Sequence, residues 1–337
     1  ITYSVKQDSI GNIWIASEEG VLKYNSKTIK IYNTYKGLPE QVSNRISELF
    51  IDSQQRVWVG MENGLCLLDK YKDSFQLLKS DIDINPSLVS TITEDENGVI
   101  WLGGFNGLWR INQNTLVVER VLENINIKSL FISNNNILVG SIKGLLIYNK
   151  DTKDTYDVVL DNKKPAIWFL GKSHSNIYIG TRKGDVYRLD KELKNTELIK
   201  QLNFPITDII DGTKQNYLVA TDGNGFYSFK KQDFSLINHV KEDVDNATSL
   251  NANGIYDIEY NKEQNTLWIA TYGGGVNYYN YNKKPFNRFQ HIINDKNSIA
   301  TNFSRSIEID SQGKIWFGTT KGISIWNPKN KKWKQIN

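Results

Sequence analysis

Histidine and cysteine, two residue types that often perform catalysis, are few in this chain, and no known catalytic or metal-binding motif is found. The three histidines, His174, His239 and His291, lie outside the repeated hairpins described below. No His-Glu-x-x-His, Gly-x-Ser-x-Gly or Cys-x-x-Cys pattern occurs. Because Cys66 is the single cysteine, an internal disulfide is excluded. Cys66 lies in an apolar strand pattern, which predicts that it is a small buried hydrophobic residue. The sequence therefore predicts no catalytic residue, no metal ligand and no cofactor.

Carboxylates could still converge if the turns of the repeated hairpins lie on one face. Glu18, Glu19, Glu62 and Asp222 occupy equivalent turns of their repeats. Charged residues are, however, the ordinary composition of solvated turns. A carbohydrate-active hydrolase or lyase therefore ranks last among the functions that we consider.

Binding requires less than catalysis, and the same turns offer aromatic faces and planar polar groups that suit sugars. The candidate ligand-binding residues are Phe105, Asn106, Lys143, Arg182, Lys183, Asp222, Asn224, Tyr272 and Lys321 in these turns, with Arg45 and Arg305 near the starts of inner strands. Six of these eleven residues are basic and one is acidic, which favours an anionic oligosaccharide such as a uronic-acid or sulfated glycan.

A hairpin that occurs eight times predicts how these residues are positioned. Each copy has a central residue, usually Trp, between hydrophobic neighbours, then a small residue, a polar turn and Gly, and in all but the fifth copy a hydrophobic residue follows this Gly. The central residues are Trp14, Trp58, Trp101, Leu138, Tyr178, Leu218, Trp268 and Trp316. Their successive intervals are 44, 43, 37, 40, 40, 50 and 48 residues. A period of roughly 40 to 50 residues that holds four strands is typical of a β-propeller blade.

We therefore expect an all-β chain that forms a single β-propeller domain over residues 1–337, made of four-stranded antiparallel blades. The eight repeat units are expected at 1–34, 44–79, 88–123, 127–160, 165–200, 204–240, 254–290 and 303–337. The strand count favours a ring of eight blades. The alternative is a seven-bladed ring followed by the first blade of another domain.

Two features of the repeat have structural interpretations. The turn before the Trp strand often reads Asp-x-x-Gly, as in Asp8 to Gly11, because Asp caps its own turn and Gly accepts a positive φ. The residue two after the Trp position is Gly or Ala in all eight copies, which predicts a close approach of the neighbouring blade.

The chain direction predicts which loops share a face. The turns between second and third strands should emerge on the same side as the connections from one blade to the next. These connections are long and patterned, at 36–44, 85–88, 246–253 and 297–302. Function concentrates where long loops gather, so this side is the expected ligand face.

Composition excludes several other classes of protein. The 41 basic and 37 acidic residues are scattered, and no run of Lys or Arg indicates a nucleic-acid partner. No window approaches eighteen apolar residues, so we expect no membrane insertion. No signal peptide is visible before the first strand pattern, which suggests a mature or excised segment.

The motifs together resemble the two-component-regulator propeller repeats of periplasmic sensor regions in Bacteroidetes hybrid two-component systems. The resemblance rests on the Asp-x-x-Gly-x-Ile-Trp hairpins, the Gly37-Leu38-Pro39 connector and the Asn-x-x-Ser-Leu-x-x-Asn connector that begins at Asn246. It covers the whole chain and is specific in the first three and last two repeats. The middle repeats lose the Trp and the Asp-x-x-Gly turn.

The resemblance implies a periplasmic, carbohydrate-sensing domain of an inner-membrane receptor. Such receptors join it to a second propeller, an immunoglobulin-like domain, a membrane helix, a histidine kinase and a response regulator, and form homodimers. Propellers of this family generally have seven blades, with the first strand completing the last blade. Here we count eight complete units instead.

We therefore expect a non-enzymatic ligand-sensing propeller that detects an oligosaccharide and signals by rearrangement of domains or protomers. The alternative is a protein-interaction scaffold, a common use of repeat propellers, which would need no small ligand.

Overall fold

The chain is all-β, and its computed structural model shows eight antiparallel sheets, which confirms the predicted fold class and the eight repeat units. The structure describes residues 1–80, 86–112, 115–173, 176–213, 215–243, 246, 249–282 and 289–336. Within these residues seven sheets have four strands and one has three. In this part of the chain there is no helix with the length and apolarity that crossing a membrane requires.

Each sheet uses consecutive strands in chain order, from the innermost strand to the outermost. The strands of the first four sheets are β1 Thr2–Gln7, β2 Ile13–Ser17, β3 Gly20–Tyr24, β4 Ile29–Tyr32, β5 Ile46–Ile51, β6 Val57–Met61, β7 Gly64–Asp69, β8 Ser74–Leu77, β9 Thr91–Glu94, β10 Ile100–Gly104, β11 Gly107–Ile111, β12 Val118–Glu123, β13 Ile127–Ser133, β14 Asn136–Ser141, β15 Gly144–Asn149 and β16 Thr155–Val158. The strands of the last four sheets are β17 Ile167–Ser173, β18 Asn176–Thr181, β19 Asp185–Leu189, β20 Thr196–Gln201, β21 Ile206–Asp211, β22 Asn216–Thr221, β23 Phe226–Lys230, β24 Leu236–Val240, β25 Ile255–Asn261, β26 Thr266–Thr271, β27 Gly275–Asn280, β28 Ser304–Ile309, β29 Ile315–Thr319, β30 Gly322–Asn327 and β31 Lys332–Ile336.

The innermost strands of the first seven sheets close into a ring. Each of β1, β5, β9, β13, β17, β21 and β25 packs on the next, and β25 packs on β1. At this closure Thr2 Oγ1 accepts a hydrogen bond from the Thr271 N–H at 3.0 Å and donates one to the Gly275 carbonyl at 2.9 Å. The ring therefore has seven blades, because the first sheet occupies the place beside the seventh.

The chain divides into two compact units, residues 1–282 and residues 283–337. The first unit contains the seven-bladed ring, and the second contains the eighth sheet, β28 to β31. This corresponds to the alternative arrangement, and it replaces the expectation of one propeller domain over 1–337. The second unit has its own aromatic core, in which Phe289 contacts Phe317, Trp326 and Trp333.

The aspartates of the Asp-x-x-Gly-type turns hold the indole groups of the repeat. In the second sheet Asp52 accepts a hydrogen bond from Trp58 Nε1 at 2.8 Å and further bonds from the Gln54 and Arg56 N–H groups. The same indole bond joins Trp14, Trp101 and Trp316 to the equivalent aspartates Asp8, Asp95 and Asp310. These contacts confirm the structural interpretation of the turns.

The small residue after the Trp strand is required by the neighbouring sheet. A Cβ atom on Gly103 would lie 2.4 Å from Ile127 Cγ2 of the next sheet, and one on Gly60 would lie 2.5 Å from Val89 Cγ1. Real side chains do not approach so closely, so the expected contact between blades is confirmed at these positions.

We expect Asp52→Ala to lower the free energy of unfolding by about 2 to 4 kcal/mol, because a buried indole N–H and two backbone N–H groups would lose their acceptor. Urea denaturation measures the change. Asp154→Ala, in an exposed turn of the fourth sheet, is the control and should change stability by less than about 0.5 kcal/mol. Similar values for the two variants would contradict the anchoring role of Asp52.

Candidate ligand site in the central channel

A cavity of about 520 Å³ lies where the seven inner strands meet. Every inner strand of the ring contributes to its wall. One residue from each strand in chain order is Tyr3, Ser47, Thr91, Lys128, Trp168, Thr207 and Tyr256. Because all seven sheets line this cavity, it forms part of the central channel of the propeller.

A β-bulge in six of the inner strands directs these residues into the channel. In β17, for example, the pairing with β18 shifts between Ile167 and Phe169, so that Trp168 is the extra residue. The same shift makes Tyr3, Ser47, Lys128, Thr207 and Tyr256 the extra residues of their strands. A bulge changes the direction in which side chains point. In five of these strands the bulged residue and the residue that follows it both line the cavity. The sixth is β1, where Tyr3 and Lys6 line it instead.

Aromatic side chains form one part of the cavity wall, and three predicted site residues contact them. The Arg45 guanidinium carbon lies 5.3 Å from the centre of the Tyr3 ring. The Arg182 guanidinium carbon lies 5.7 Å from the Trp168 ring. Tyr272, an exposed residue, contacts the third wall residue, Tyr256, edge to face at 6.1 Å. Three of the sequence-predicted residues thus surround the cavity without lining it.

Carboxylates form another part of the wall. Asp257 Oδ2 accepts hydrogen bonds from Lys6 Nζ at 2.6 Å and from Ser4 Oγ and Val5 N at 2.8 Å each. Asp208 Oδ2 accepts one from the Ile258 N–H at 3.2 Å. These bonds join the sixth sheet to the seventh and the seventh to the first, so the carboxylates help to close the ring.

Burial and mutual repulsion change the charge of this wall. Burial raises the pKa of Glu48 to about 7, although Lys6 opposes the shift. Burial, followed by the charge of Asp257, also raises the pKa of Asp208. Burial alone would lower the pKa of Lys6, but the neighbouring carboxylates outweigh it and hold that pKa above its ordinary value. Lys6 is therefore a fixed cation beside Glu48, whose carboxyl group is partly protonated near neutral pH.

The other predicted site residues do not come together around the cavity. Phe105, Lys143 and Lys183 are exposed in their turns. Asn106 accepts a hydrogen bond from the Ser87 N–H, and Asn224 donates one to the Tyr227 hydroxyl. Such bonds fix loops and indicate no ligand. Asp222 is half-buried beside Gly254, and burial raises the pKa of its carboxyl group. Arg305 and Lys321 are exposed and belong to the second unit.

The histidines and the cysteine have structural surroundings. His239 stacks on Tyr227 at 3.9 Å between ring centres, and His291 Nδ1 lies 2.9 Å from the Ile299 carbonyl oxygen. His174 lies outside the described residues. Cys66 is buried, as expected, and burial raises the pKa of its thiol to about 12. Among the residues that the structure describes, no group of three His, Cys, Asp or Glu is placed to hold a metal ion.

The residues that line the cavity were missed because they belong to no motif. A signal does exist in the repeats. Each bulged residue lies ten to twelve positions before the Trp position of its repeat, as Lys128 does before Leu138, and in five sheets it follows a buried isoleucine. Aligning the repeats on that isoleucine would have selected Lys128, Trp168 and Tyr256.

Comparison with known proteins gives three similarities. The sequence model of the two-component regulator propeller family matches residues 298–321. A curated relative, histidine kinase P4 of Formosa agariphila, is 25% identical, and the match covers 64% of this chain and 20% of the relative. The crystal structures of the extracellular domains of the hybrid two-component systems BT3049 and BT4673 of B. thetaiotaomicron superpose with TM-scores of 0.73 and 0.71 at 22% and 20% identity. Each superposition covers 100% of this chain but only 47% and 52% of those chains, so this chain spans about half of their length.

We expect Glu48→Gln to stabilise the protein at pH 8 by on the order of 1 to 3 kcal/mol and to have little effect at pH 4. A carboxyl group whose pKa is raised in the folded state stabilises that state below its ordinary pKa of 4.5, and this contribution is lost as the pH rises through about 7. Gln can still accept the Leu49 N–H bond. Urea denaturation at both pH values measures the effect, with Glu62→Gln in an exposed turn as the control. A gain at pH 4 equal to that at pH 8 would contradict this assignment.

Proposed function

The chain contains a two-component regulator propeller repeat, and from this premise we propose that it is the ligand-sensing propeller of a two-component receptor. The similarity to extracellular domains of hybrid two-component systems supports an extracytoplasmic, periplasmic location. The similarity to a much longer histidine kinase supports a receptor in which a kinase, rather than this chain, performs the chemistry.

The observation that carries this proposal is the channel cavity. Small-molecule sites are concave, with apolar and aromatic walls and a few converging polar groups. The cavity combines Tyr3, Trp168 and Tyr256 with hydroxyl groups, two lysines and several carboxyl groups. Aromatic rings pack well against the C–H faces of sugar rings, and charged or hydroxyl groups bind their polar substituents. We therefore propose an oligosaccharide as the ligand.

Signalling would follow from rearrangement of domains or of the two protomers of a homodimer when the ligand binds one arrangement better. In the parent receptor this propeller would adjoin a second propeller and an immunoglobulin-like domain. The exposed residues Arg45, Arg182 and Tyr272, which contact the cavity wall, are suitably placed to pass a change in the cavity to such neighbours.

We expect a subset of neutral and acidic oligosaccharides to raise the melting temperature of the purified chain, because a ligand that binds only the folded state stabilises it by mass action. Trp168→Ala should abolish the shift. Phe105 is an exposed aromatic residue that does not line the cavity, so Phe105→Ala should leave the shift unchanged. A thermal-shift screen measures both.

A shift that Phe105→Ala removes and Trp168→Ala preserves would place the site on the turn face and contradict the channel assignment. No shift with any saccharide, either for this chain or for a longer one that includes the next domain, would favour the protein-interaction scaffold instead.

A further inference from the structure

Charge is distributed unevenly around the channel. The acidic wall is formed by Glu48 of the second sheet, Asp208 of the sixth, and Asp257 and Glu259 of the seventh. The first sheet, which lies between the second and the seventh, supplies Lys6 as a cation to this wall. Across the ring, on the fourth and fifth sheets, the charged groups are Lys128 of β13 and Arg182, which follows β18. The channel therefore has an acidic side that contains its own counter-ion and a basic side.

Of the two lysines that line the channel, Lys128 has no counter-ion among the residues that the structure describes. Lys6 Nζ lies 2.6 Å from Asp257, but within the described residues Lys128 makes no ion pair. Burial first, and then the positive charge of Arg182, lower the pKa of Lys128. Partial burial of an unpaired ammonium is unfavourable, and an anion placed beside it would remove much of that cost.

An aromatic surface lies beside this cation. Trp168 is the bulged residue of β17, the inner strand that packs on β13, and its ring lines the cavity. The guanidinium of Arg182 lies 5.7 Å from the same ring, which fixes a second positive group close to Lys128. A planar or ring-shaped anion could therefore contact an aromatic surface and two cations together.

A free hydrogen-bonding group completes this side. Thr207, on the sixth sheet next to Trp168, lines the cavity, and its Oγ1 atom is buried without a hydrogen-bond partner among the residues that the structure describes. Buried hydroxyl groups are normally satisfied, so a ligand hydroxyl is a suitable partner for this atom.

We propose that Lys128 and Trp168 inside the channel, with the exposed Arg182 beside the Trp168 ring, form an anion subsite that takes the carboxylate of a sugar acid, while the sugar ring contacts Trp168 and a hydroxyl group reaches Thr207. This inference rests on the proposed function and deepens it, because it names the charged class of saccharide and the atoms that select it. It also transfers the preference for anions from exposed turn residues such as Lys143 and Lys183 to the interior of the ring.

The test compares a charged saccharide with its neutral counterpart by isothermal titration calorimetry at pH 7. The probes are digalacturonate and its dimethyl ester, which share the same rings and differ in charge. The wild-type protein should bind the acid at least tenfold more tightly than the ester. Lys128→Met should remove this preference and leave the affinity for the ester within twofold, since Met preserves most of the side-chain volume.

Lys183→Met is the matched control, because Lys183 is an exposed lysine beside Arg182 that does not line the cavity. It should change both affinities by less than twofold. If Lys128→Met fails to fold, Arg182→Met provides the test, because Arg182 is exposed. This variant should also reduce the preference for the acid over the ester. Equal affinity of the wild type for acid and ester, or a preference that survives both Lys128→Met and Arg182→Met, would overturn the subsite.

A pair of probes that are not sugars separates this inference from the proposed function. Cyclohexanecarboxylate and cyclohexanecarboxamide retain a ring with and without charge and carry no sugar hydroxyl groups. Binding of the carboxylate that depends on Lys128, without binding of any saccharide, would support the subsite and contradict the sugar sensor. Binding of neutral and acidic saccharides with equal affinity would support the sensor and overturn the subsite, and binding of no probe would overturn both.

Discussion

The close approach of neighbouring sheets near the axis is the constraint on which the rest of this structure depends. Gly103 leaves room for Ile127 of the next sheet, and the bulge of that sheet inserts Lys128 directly after Ile127. Gly140 and Ile167 have the same relation, followed by Trp168. The small residue thus fixes where the next inner strand begins, and the bulge then determines which side chain enters the channel. The contact between neighbouring sheets and the choice of residues that line the candidate site therefore both follow from the position of the small residue and the bulge.

In five of the six bulged strands the residue after the bulge is polar, which explains why polar groups surround the axis. The Ser129 hydroxyl accepts a bond from the Leu170 N–H, just as Asp257 accepts one from the Val5 N–H. Inner strands at the axis have no further strand to pair with, so their side chains satisfy the backbone of the neighbouring sheet. Asp208 and Asp257 of the acidic wall are therefore held in place by this structural requirement. This differs from Lys128, which satisfies no backbone group and no carboxylate within the described residues.

The hairpins, their turns and the small residues could be predicted from the sequence because each is a local pattern that recurs. The number of blades in the ring could not. It depends on whether the first inner strand meets the seventh or the eighth, and this contact joins Thr2 to Thr271, far apart in the chain. The channel residues carry no motif of their own, because a bulge inserts a residue without requiring a particular type, and only the isoleucine that precedes five of them marks their positions in the repeats. Tyr3, Lys128 and Thr207 occupy equivalent positions and share no chemical property.

Three of the residues predicted from the sequence are nevertheless connected to the channel. Arg45, Arg182 and Tyr272 are exposed, and each contacts one aromatic residue of the cavity wall. Exposed side chains are therefore in direct contact with the lining of the channel. A closed ring of seven sheets restricts movement of the wall itself, since each inner strand packs on two neighbours. A ligand that orders Tyr3, Trp168 or Tyr256 would therefore act first on the side chains that contact these three rings. If the channel binds the signal, the most direct route to a neighbouring domain or protomer runs through these contacts and not through displacement of the sheets.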